Sequence, residues 1–456
     1  MKFKFWVIIS TPLLSVIFYY FLSTLGLQHQ ATIVAAITLL TLILWVSNAL
    51  PIPVTALLPF ILFPIFDVMD HKQAASFMGD DIVLLLMGAF MLSKSLEKSG
   101  AHEKMAFYIL KLVNVRSFRG LVFGIMSATA FLSLWISNTA ATLVMLPITL
   151  AILNSLDEKK FDSVLLIAVA YAASIGGIGT IIGSPTNIIF DGMFKLQTGA
   201  EFNFFDWLKI GLPIVLISIP IGAYWLTKNI NRNIKPSLNS NSELSRAETR
   251  TLIVFSLTIF AWITIHTPFG GWSQWLELLS MGESSVVLFA VIAMFVISDG
   301  DGGKLMDWKT AKGIPWDILL LIASGLCIAY AFHTSGLSHF LALWLHSLTH
   351  LSPLVMIFVI CLAITFFTEI ASNTATATLL MPIMASAAIA TESNPELLMA
   401  PAAMATSTAF MLPVGTPPNA IILGSGRVKI RDMVKNGIVF SLLVSFLIAL
   451  FCFLLI

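Results

Sequence analysis

Apolar stretches long enough to cross a lipid bilayer follow one another along almost the whole chain, separated only by short polar interruptions. About 20 apolar residues cross a hydrocarbon core of about 30 Å, and there the backbone must satisfy its own hydrogen bonds, which favours helices. Of the 456 residues, 58% are hydrophobic and 11% charged, with a mean hydropathy of +0.93; soluble domains carry roughly 25% charged residues. A soluble globular fold is excluded. The expected fold is all-α and polytopic, with about 11 transmembrane helices at this length and hydropathy.

Residues 1–30 hold the first of these helices. Lys2 and Lys4 precede an apolar stretch that is too long for a signal peptide and has no small-x-small cleavage site, so it reads as uncleaved. Cys327, Cys361 and Cys452 lie inside apolar runs, where a thiol behaves as a small hydrophobe, and imply neither a disulfide nor a metal framework. A formal net charge of +1 gives no reason to expect a nucleic-acid partner.

The placement of the charges says more than their sum. Lys and Arg favour cytoplasmic loops. With the amino terminus inside, all but three of the 25 basic residues fall in cytoplasmic segments, leaving Lys72, Lys195 and Lys209 outside. This implies a multi-pass protein of the cell inner (cytoplasmic) membrane, surrounded by lipid, with its carboxyl terminus outside.

The polarity pattern gives spans near 5–25, 32–49, 52–67 and 81–98, an amphipathic segment to about 118, a hairpin near 120–156, a broken span over 161–190 and another span over 210–228. The polar stretch 229–250 is the one linker, expected on the cytoplasmic side. It divides a first repeat, 31–228, from a second, 251–456, whose hairpin covers about 353–392. Asp81-Ile82-Val83-Leu84-Leu85 recurs as Asp317-Ile318-Leu319-Leu320-Leu321, and Ser99-Gly100 as Ser335-Gly336. Ser137-Asn138-Thr139-Ala140 recurs as Ser372-Asn373-Thr374-Ala375. Gly183-Ser184-Pro185-Thr186-Asn187 recurs as Gly415-Thr416-Pro417-Pro418-Asn419. An odd number of crossings between equivalent points inverts the second copy. Basic residues agree: Arg116, Arg119, Lys159 and Lys160 flank the first hairpin, whereas nothing from Gly313 to Gly426 is Lys or Arg. One hairpin therefore enters from the cytoplasm and the other from outside, the arrangement that marks binding sites in secondary transporters.

Each Ser-Asn-Thr sits inside an apolar run with a proline, Pro147 or Pro382, about ten residues later, a spacing that suits two helices joined by a polar tip better than one span. Non-helical backbone at that depth is tolerated where it is buried in protein or lines a cavity. Helix amino termini at such tips offer N–H groups and partial positive charge to a carboxylate, and the Ser, Thr and Asn side chains add directed hydrogen bonds. Small polar residues also glue membrane helices together, but the recurrence of the triplet favours a site. Proline in the two Gly-Ser/Thr-Pro segments frees carbonyls that suit a hard cation such as sodium, or merely kinks the helix.

No Lys or Arg lies near these motifs, so an anion's charge has to be balanced by something else, and bound sodium held by oxygen atoms would do this. Proton coupling would call for an intramembrane acid. Only Glu369 lies near a motif; it reads as a buried carboxyl tying hairpin backbone together, with proton carrier as the other role. His333, His339, His346 and His350 read as interfacial residues rather than a metal site. Gly300-Asp301-Gly302 lies in a polar loop, and no Ser-His-Asp set, P-loop or dinucleotide fingerprint is present. The chain does not read as an enzyme.

The paired triplets, the Asp80-to-Phe90 run and Pro51-Ile52-Pro53-Val54-Thr55-Ala56-Leu57 resemble the divalent anion/sodium symporter family of sodium-coupled dicarboxylate and citrate carriers, over nearly the whole length. The resemblance implies a homodimer of subunits with a fixed scaffold and a moving part that carries substrate by an elevator mechanism. It implies a substrate site of Ser137, Asn138, Thr139, Ser372, Asn373, Thr374, Thr416 and Pro417. It also implies one sodium site of Ser133, Ser137, Asn138 and the Gly183 carbonyl, and a second of Thr368, Ala371, Asn373 and the Gly415 carbonyl. Asn48 departs from the Glu that relatives often carry there, at a scaffold position. The function so implied is sodium-coupled symport of C4-dicarboxylates such as succinate, malate and fumarate. A sodium-independent dicarboxylate exchanger and a citrate or sulfate carrier of the same fold are the alternatives.

Overall fold

The computed structural model describes residues 2–47, 49–113, 116–156, 161–200, 202–230, 243–265, 271–278, 280–345 and 352–456. Asn48, Lys159, Lys160, His346, His350 and linker residues 231–242 lie outside the described residues. Among the described residues the structure is helical, apart from one bridge between Ser298 and Lys304. Six helices are long and apolar enough to cross a membrane: Lys4–Thr24, His29–Ser47, His71–Ser99, Phe204–Thr227, Trp316–Thr334 and Ile430–Leu455. Shorter apolar helices account for the hairpins and broken spans.

The first hairpin is Phe118–Ser133 followed by Asn138–Leu156. Its first arm, 16 residues, is about 24 Å long at 1.5 Å per residue, short of a full crossing. Phe118, where the chain enters, stacks on Phe161, just after it leaves, at 4.1 Å between ring centroids. The segment therefore goes in and returns on one side. Ser117 caps the entering arm by accepting from the Gly120 N–H at 3.1 Å. The second hairpin is Pro353–Thr368 followed by Asn373–Ala390.

Each hairpin is followed by a broken helix. Asp162–Ile178 ends near Gly179 and restarts as Pro185–Thr198; Pro395–Thr406 ends at Ser407 and restarts as Pro417–Gly424. Both restarts have proline in the first turn, where its missing N–H costs nothing. The restarted segments cross over: Pro185–Thr198 packs on Asn373–Ala390, and Pro417–Gly424 on Asn138–Leu156. Each half thus supplies part of the wall around the other's hairpin.

A second group of helices stands beside this block. Asp81–Ser99 packs against Glu283–Val296, and Trp316–Thr334 against His29–Ser47 and the short helices Ile52–Thr55 and Leu58–Ile65. Over 52–67, which the sequence pattern reads as one span, the apolar helical run Ile52–Ile65 is interrupted at Ala56-Leu57, whose backbone stays right-handed helical and after which Pro59 withholds an N–H. Gly100 and Gly336, in the repeated Ser-Gly pairs, share a φ of 78°, a left-handed turn that a Cβ would disfavour.

The two ends of Asp81–Ser99 show how the charges sort. At one end Asp81 pairs with Lys195 at 2.8 Å; at the other Lys98 pairs with Asp307 at 2.6 Å and donates to the Lys304 carbonyl at 2.9 Å. The Lys98 ammonium and the Thr310 N–H hold the Asp307 carboxyl down at about 2. Arg119, whose guanidinium lies 4.9 Å from the Tyr224 ring, donates to Thr227 at 3.1 Å. The basic segments gather at one end, and Lys195 sits at the other.

The block itself is knitted without side chains at its closest points. Gly176 lies against Ala130, Gly211 against Ile178 and Gly437 against Phe410, where a Cβ would overlap the facing backbone. Tyr171 stacks on Phe440 at 5.2 Å and donates to the Met433 carbonyl at 3.1 Å, joining Asp162–Ile178 to Ile430–Leu455. Cys327, Cys361 and Cys452 are buried.

Candidate functional site

Both Ser-Asn-Thr triplets stand where a hairpin turns, and all six of their residues are half-buried while Ser133, Ile136, Ala371 and Ala375 around them are buried. Helices begin at Asn138 and Asn373, so the first turns at both tips present N–H groups that have no intrahelical acceptor. In the first, Ser137 Oγ accepts from the Ala140 N–H at 3.2 Å.

Behind each tip the same oxygen cluster recurs. Ser133 Oγ lies 2.7 Å from Asn138 Oδ1 and 2.7 Å from the Ala173 carbonyl. Thr368 Oγ1 lies 2.7 Å from Asn373 Oδ1 and 3.0 Å from the Thr406 carbonyl. A hydroxyl has one proton, so in each cluster one acceptor is left over. Such a surplus of oxygen lone pairs in a buried place suits a small hard cation.

The glycines of the broken helices come up to these clusters. A Cβ on Gly183 would lie 2.8 Å from the Gly177 carbonyl oxygen and 3.1 Å from that of Ser133; one on Gly415 would lie 3.2 Å from the Glu369 carbonyl oxygen. Gly177 faces Asn138 so closely that a Cβ would overlap its amide. We expect Gly177→Ala to push Asn138 out of place and to cut sodium-dependent uptake by about tenfold or more, the scale of losing one charge-assisted contact. Uptake at the parental rate in reconstituted vesicles would contradict that packing.

Bracing residues complete each half. Asn187 donates to the Gly177 and Thr180 carbonyls at 2.7 and 2.8 Å, and Asn419 to those of Ala409 and Leu412 at 3.1 and 3.0 Å. These amides hold the unwound backbone, and the sequence signals them as the closing Asn of both repeated motifs. Thr416 is buried and accepts from the Asn419 N–H at 3.4 Å, whereas Pro417 is exposed. Ser407 is a residue that the motifs do not signal: its hydroxyl lies 3.1 Å from Thr186 Oγ1 and 3.4 Å from Ser184 Oγ, bridging the two halves.

The halves differ at Glu369. Glu369, buried, accepts three backbone N–H groups: Phe410 at 2.7 Å and Met411 at 2.8 Å on Oε1, and Leu412 at 2.7 Å on Oε2. In the first half Leu134 holds the corresponding position, and its carbonyl accepts from the Thr180 hydroxyl. This carboxyl, at the hairpin tip, thus ties the unwound stretch between Pro395–Thr406 and Pro417–Gly424 to the hairpin, rather than tying hairpin backbone to itself.

Paired hairpin tips, broken helices and apolar spans define a multi-pass membrane transporter rather than an enzyme. A family model described as citrate transporter matches residues 42–397. The chain belongs to that citrate transporter family, as its resemblance to divalent anion/sodium symporters leads one to expect. It is 35% identical over 461 residues to the sodium-dependent dicarboxylate transporter SdcS of Staphylococcus saprophyticus, covering 96% of this chain and 88% of that one. To the protein of the same name from Staphylococcus aureus it is 35% identical over 468 residues, covering 97% and 89%. Among solved structures, the YdaH transporter of Alcanivorax borkumensis aligns with a TM-score of 0.56 at 14% identity, over 84% of this chain and 85% of that one. That last likeness concerns the fold.

Proposed function

We propose that this transporter is a sodium-coupled symporter that imports C4-dicarboxylates such as succinate, malate and fumarate. The observation that carries the reading is the doubled oxygen cluster behind two half-buried tips, with no Lys or Arg beside either. Its sodium-dependent, dicarboxylate-carrying relatives support the same ion and substrate class. Ser137, Asn138, Thr139, Ser372, Asn373, Thr374, Thr416 and Pro417 then receive the substrate. Ser133, Ser137, Asn138 and Gly183 hold one sodium, and Thr368, Ala371, Asn373 and Gly415 the other.

The energetics require the ions. Uncompensated charge at midplane depth costs about 2.5–3.5 kcal/mol per group, and a dicarboxylate carries two, whereas a helix tip offsets up to about 2 kcal/mol. Two tips leave roughly 1–3 kcal/mol for sodium to supply, about a 5- to 150-fold coupling. Linkage makes it reciprocal. Succinate affinity should rise by that factor when sodium replaces choline at equal ionic strength, and sodium affinity should rise equally with succinate. Labelled succinate uptake into proteoliposomes, with and without a sodium gradient and challenged by malate, citrate and sulfate, tests the function. Equal succinate binding in choline and sodium would make the sodium-independent exchanger the better reading. Strong competition by citrate would favour the citrate carrier that the family description names.

In the same proposal 31–228 and 251–456 are inverted repeats, with the hairpin block sliding past the second helix group in an inner-membrane homodimer whose basic end faces the cytoplasm. Native mass spectrometry in mild detergent should show the dimer; monomers alone would remove the fixed partner surface. A short cross-link between Asp81→Cys and Lys195→Cys, the pair that joins block and neighbour, should stop uptake.

A further inference from the structure

One cavity lies far from the tips. A cleft of about 1150 Å³ opens at the basic end, between the close of Asn138–Leu156, the start of Asp162–Ile178, the end of Phe204–Thr227 and the start of Ile430–Leu455. Asp162–Ile178 runs from this cleft to Gly177 at the site, which puts the two about 22 Å apart along the helix at 1.5 Å per residue. Small-molecule sites measure about 300–1,000 Å³, so a ligand fits with room for water.

Six charged residues line the cleft: Lys228, Arg427, Lys429 and Lys435 against Asp162 and Asp432. Arg427 lies 3.8 Å from Asp162 and donates to Asn154 at 2.8 Å, and Asp432 accepts from Ser163 at 3.1 Å. Lys228 sits 3.3 Å over the Trp225 ring, and among the described residues neither Lys429 nor Lys435 makes an ion pair. Among the described residues four basic groups therefore line one cavity against two carboxylates, of which Asp162 is ion-paired. The repulsion among the basic groups is relieved by an anion. The helix geometry points to the same class of ligand: Ile430–Leu455 begins at the cleft with Lys429 as an N-cap whose side chain caps nothing.

We propose that this cleft is a second anion site, separate from the transport site, that takes a phosphate group. Phosphate fits better than carboxylate because several acceptor oxygens around one centre can meet ammonium groups from two helices, Lys228 on one and Lys429 and Lys435 on the other, whereas a carboxylate's two oxygens lie in one plane. The phosphate comes either from an anionic phospholipid headgroup or from a soluble phosphate compound.

The full chain in neutral detergent, titrated with inorganic pyrophosphate by calorimetry, tests the soluble source. Nanodiscs of phosphatidylcholine with and without phosphatidylglycerol, followed by native mass spectrometry of retained lipid, test the headgroup. Lys429→Gln with Lys435→Gln should weaken whichever ligand binds by about tenfold or more, the scale of losing charge-assisted hydrogen bonds. Lys228→Gln should do so separately, and uptake in pure phosphatidylcholine vesicles should stay at the parental rate, reporting an intact fold. Binding of either probe that falls with these substitutions supports the site and names its source. Retention of neither probe, or equal binding by parent and variants, overturns it.

Discussion

Asn138→Ala and Asn373→Ala should each abolish sodium-dependent uptake at ordinary sodium concentrations. Each amide oxygen belongs to an oxygen cluster, 2.7 Å from Ser133 or Thr368, while its backbone N–H opens a helix at the tip. In the proposed sites one substitution would therefore touch the ion directly and the substrate through it. Loss of one charge-assisted contact costs about 1.5–3 kcal/mol, or about 10- to 100-fold in ion affinity, and coupling passes that loss to the substrate. Asn138→Asp separates the roles: it keeps the oxygen and adds negative charge, so sodium binding should persist while succinate binding falls. Direct sodium titration alongside uptake reads both. Unchanged sodium dependence in either alanine variant would sink the assignment.

Glu369→Ala should have the largest effect on stability. It leaves the N–H groups of Phe410, Met411 and Leu412 without the acceptor they share. At about 1–3 kcal/mol for each buried unsatisfied group, the total approaches the roughly 5–15 kcal/mol that holds a typical domain together. The variant should express poorly and melt well below the parent in detergent. Glu369→Gln keeps one acceptor oxygen and should fall between the two. If the glutamine variant melted like the parent but lost pH dependence of uptake, Glu369 would be a proton carrier instead.

Both experiments bear on how much of this protein is legible in its sequence. The hairpins are legible because Ser137-Asn138-Thr139 and Ser372-Asn373-Thr374 are polar islands in apolar runs that recur at one spacing, which favours a turn over helix-gluing side chains. The oxygen clusters are partly legible, since Ser133 and Thr368 stand at matching positions before each tip. The rest is less so. The interruption at Ala56-Leu57 hides inside a run that is apolar throughout, where hydropathy does not register the N–H that Pro59 lacks. The crossing-over of Pro185–Thr198 and Pro417–Gly424 joins residues far apart in the chain, and so does the Ser407 bridge to Ser184 and Thr186. Glu369 shows itself as an intramembrane acid, but its partners lie some forty residues on in an irregular stretch, where only the folded chain brings them together.

The glycine contacts give the block a property useful to spectroscopists. Because Gly176, Gly211 and Gly437 let backbone meet backbone, neighbouring helices have no side chain between them whose rotamer could change their spacing. A pair of spin labels placed within the block, for instance on Leu143 and Ile438, both exposed, should report one distance whether or not ligands are present. A second pair, with one label moved to the exposed Ile292 of the neighbouring group, should report two. The first pair is then an internal ruler: any broadening in it measures label motion alone, and whatever broadening the second pair shows beyond that is the displacement itself.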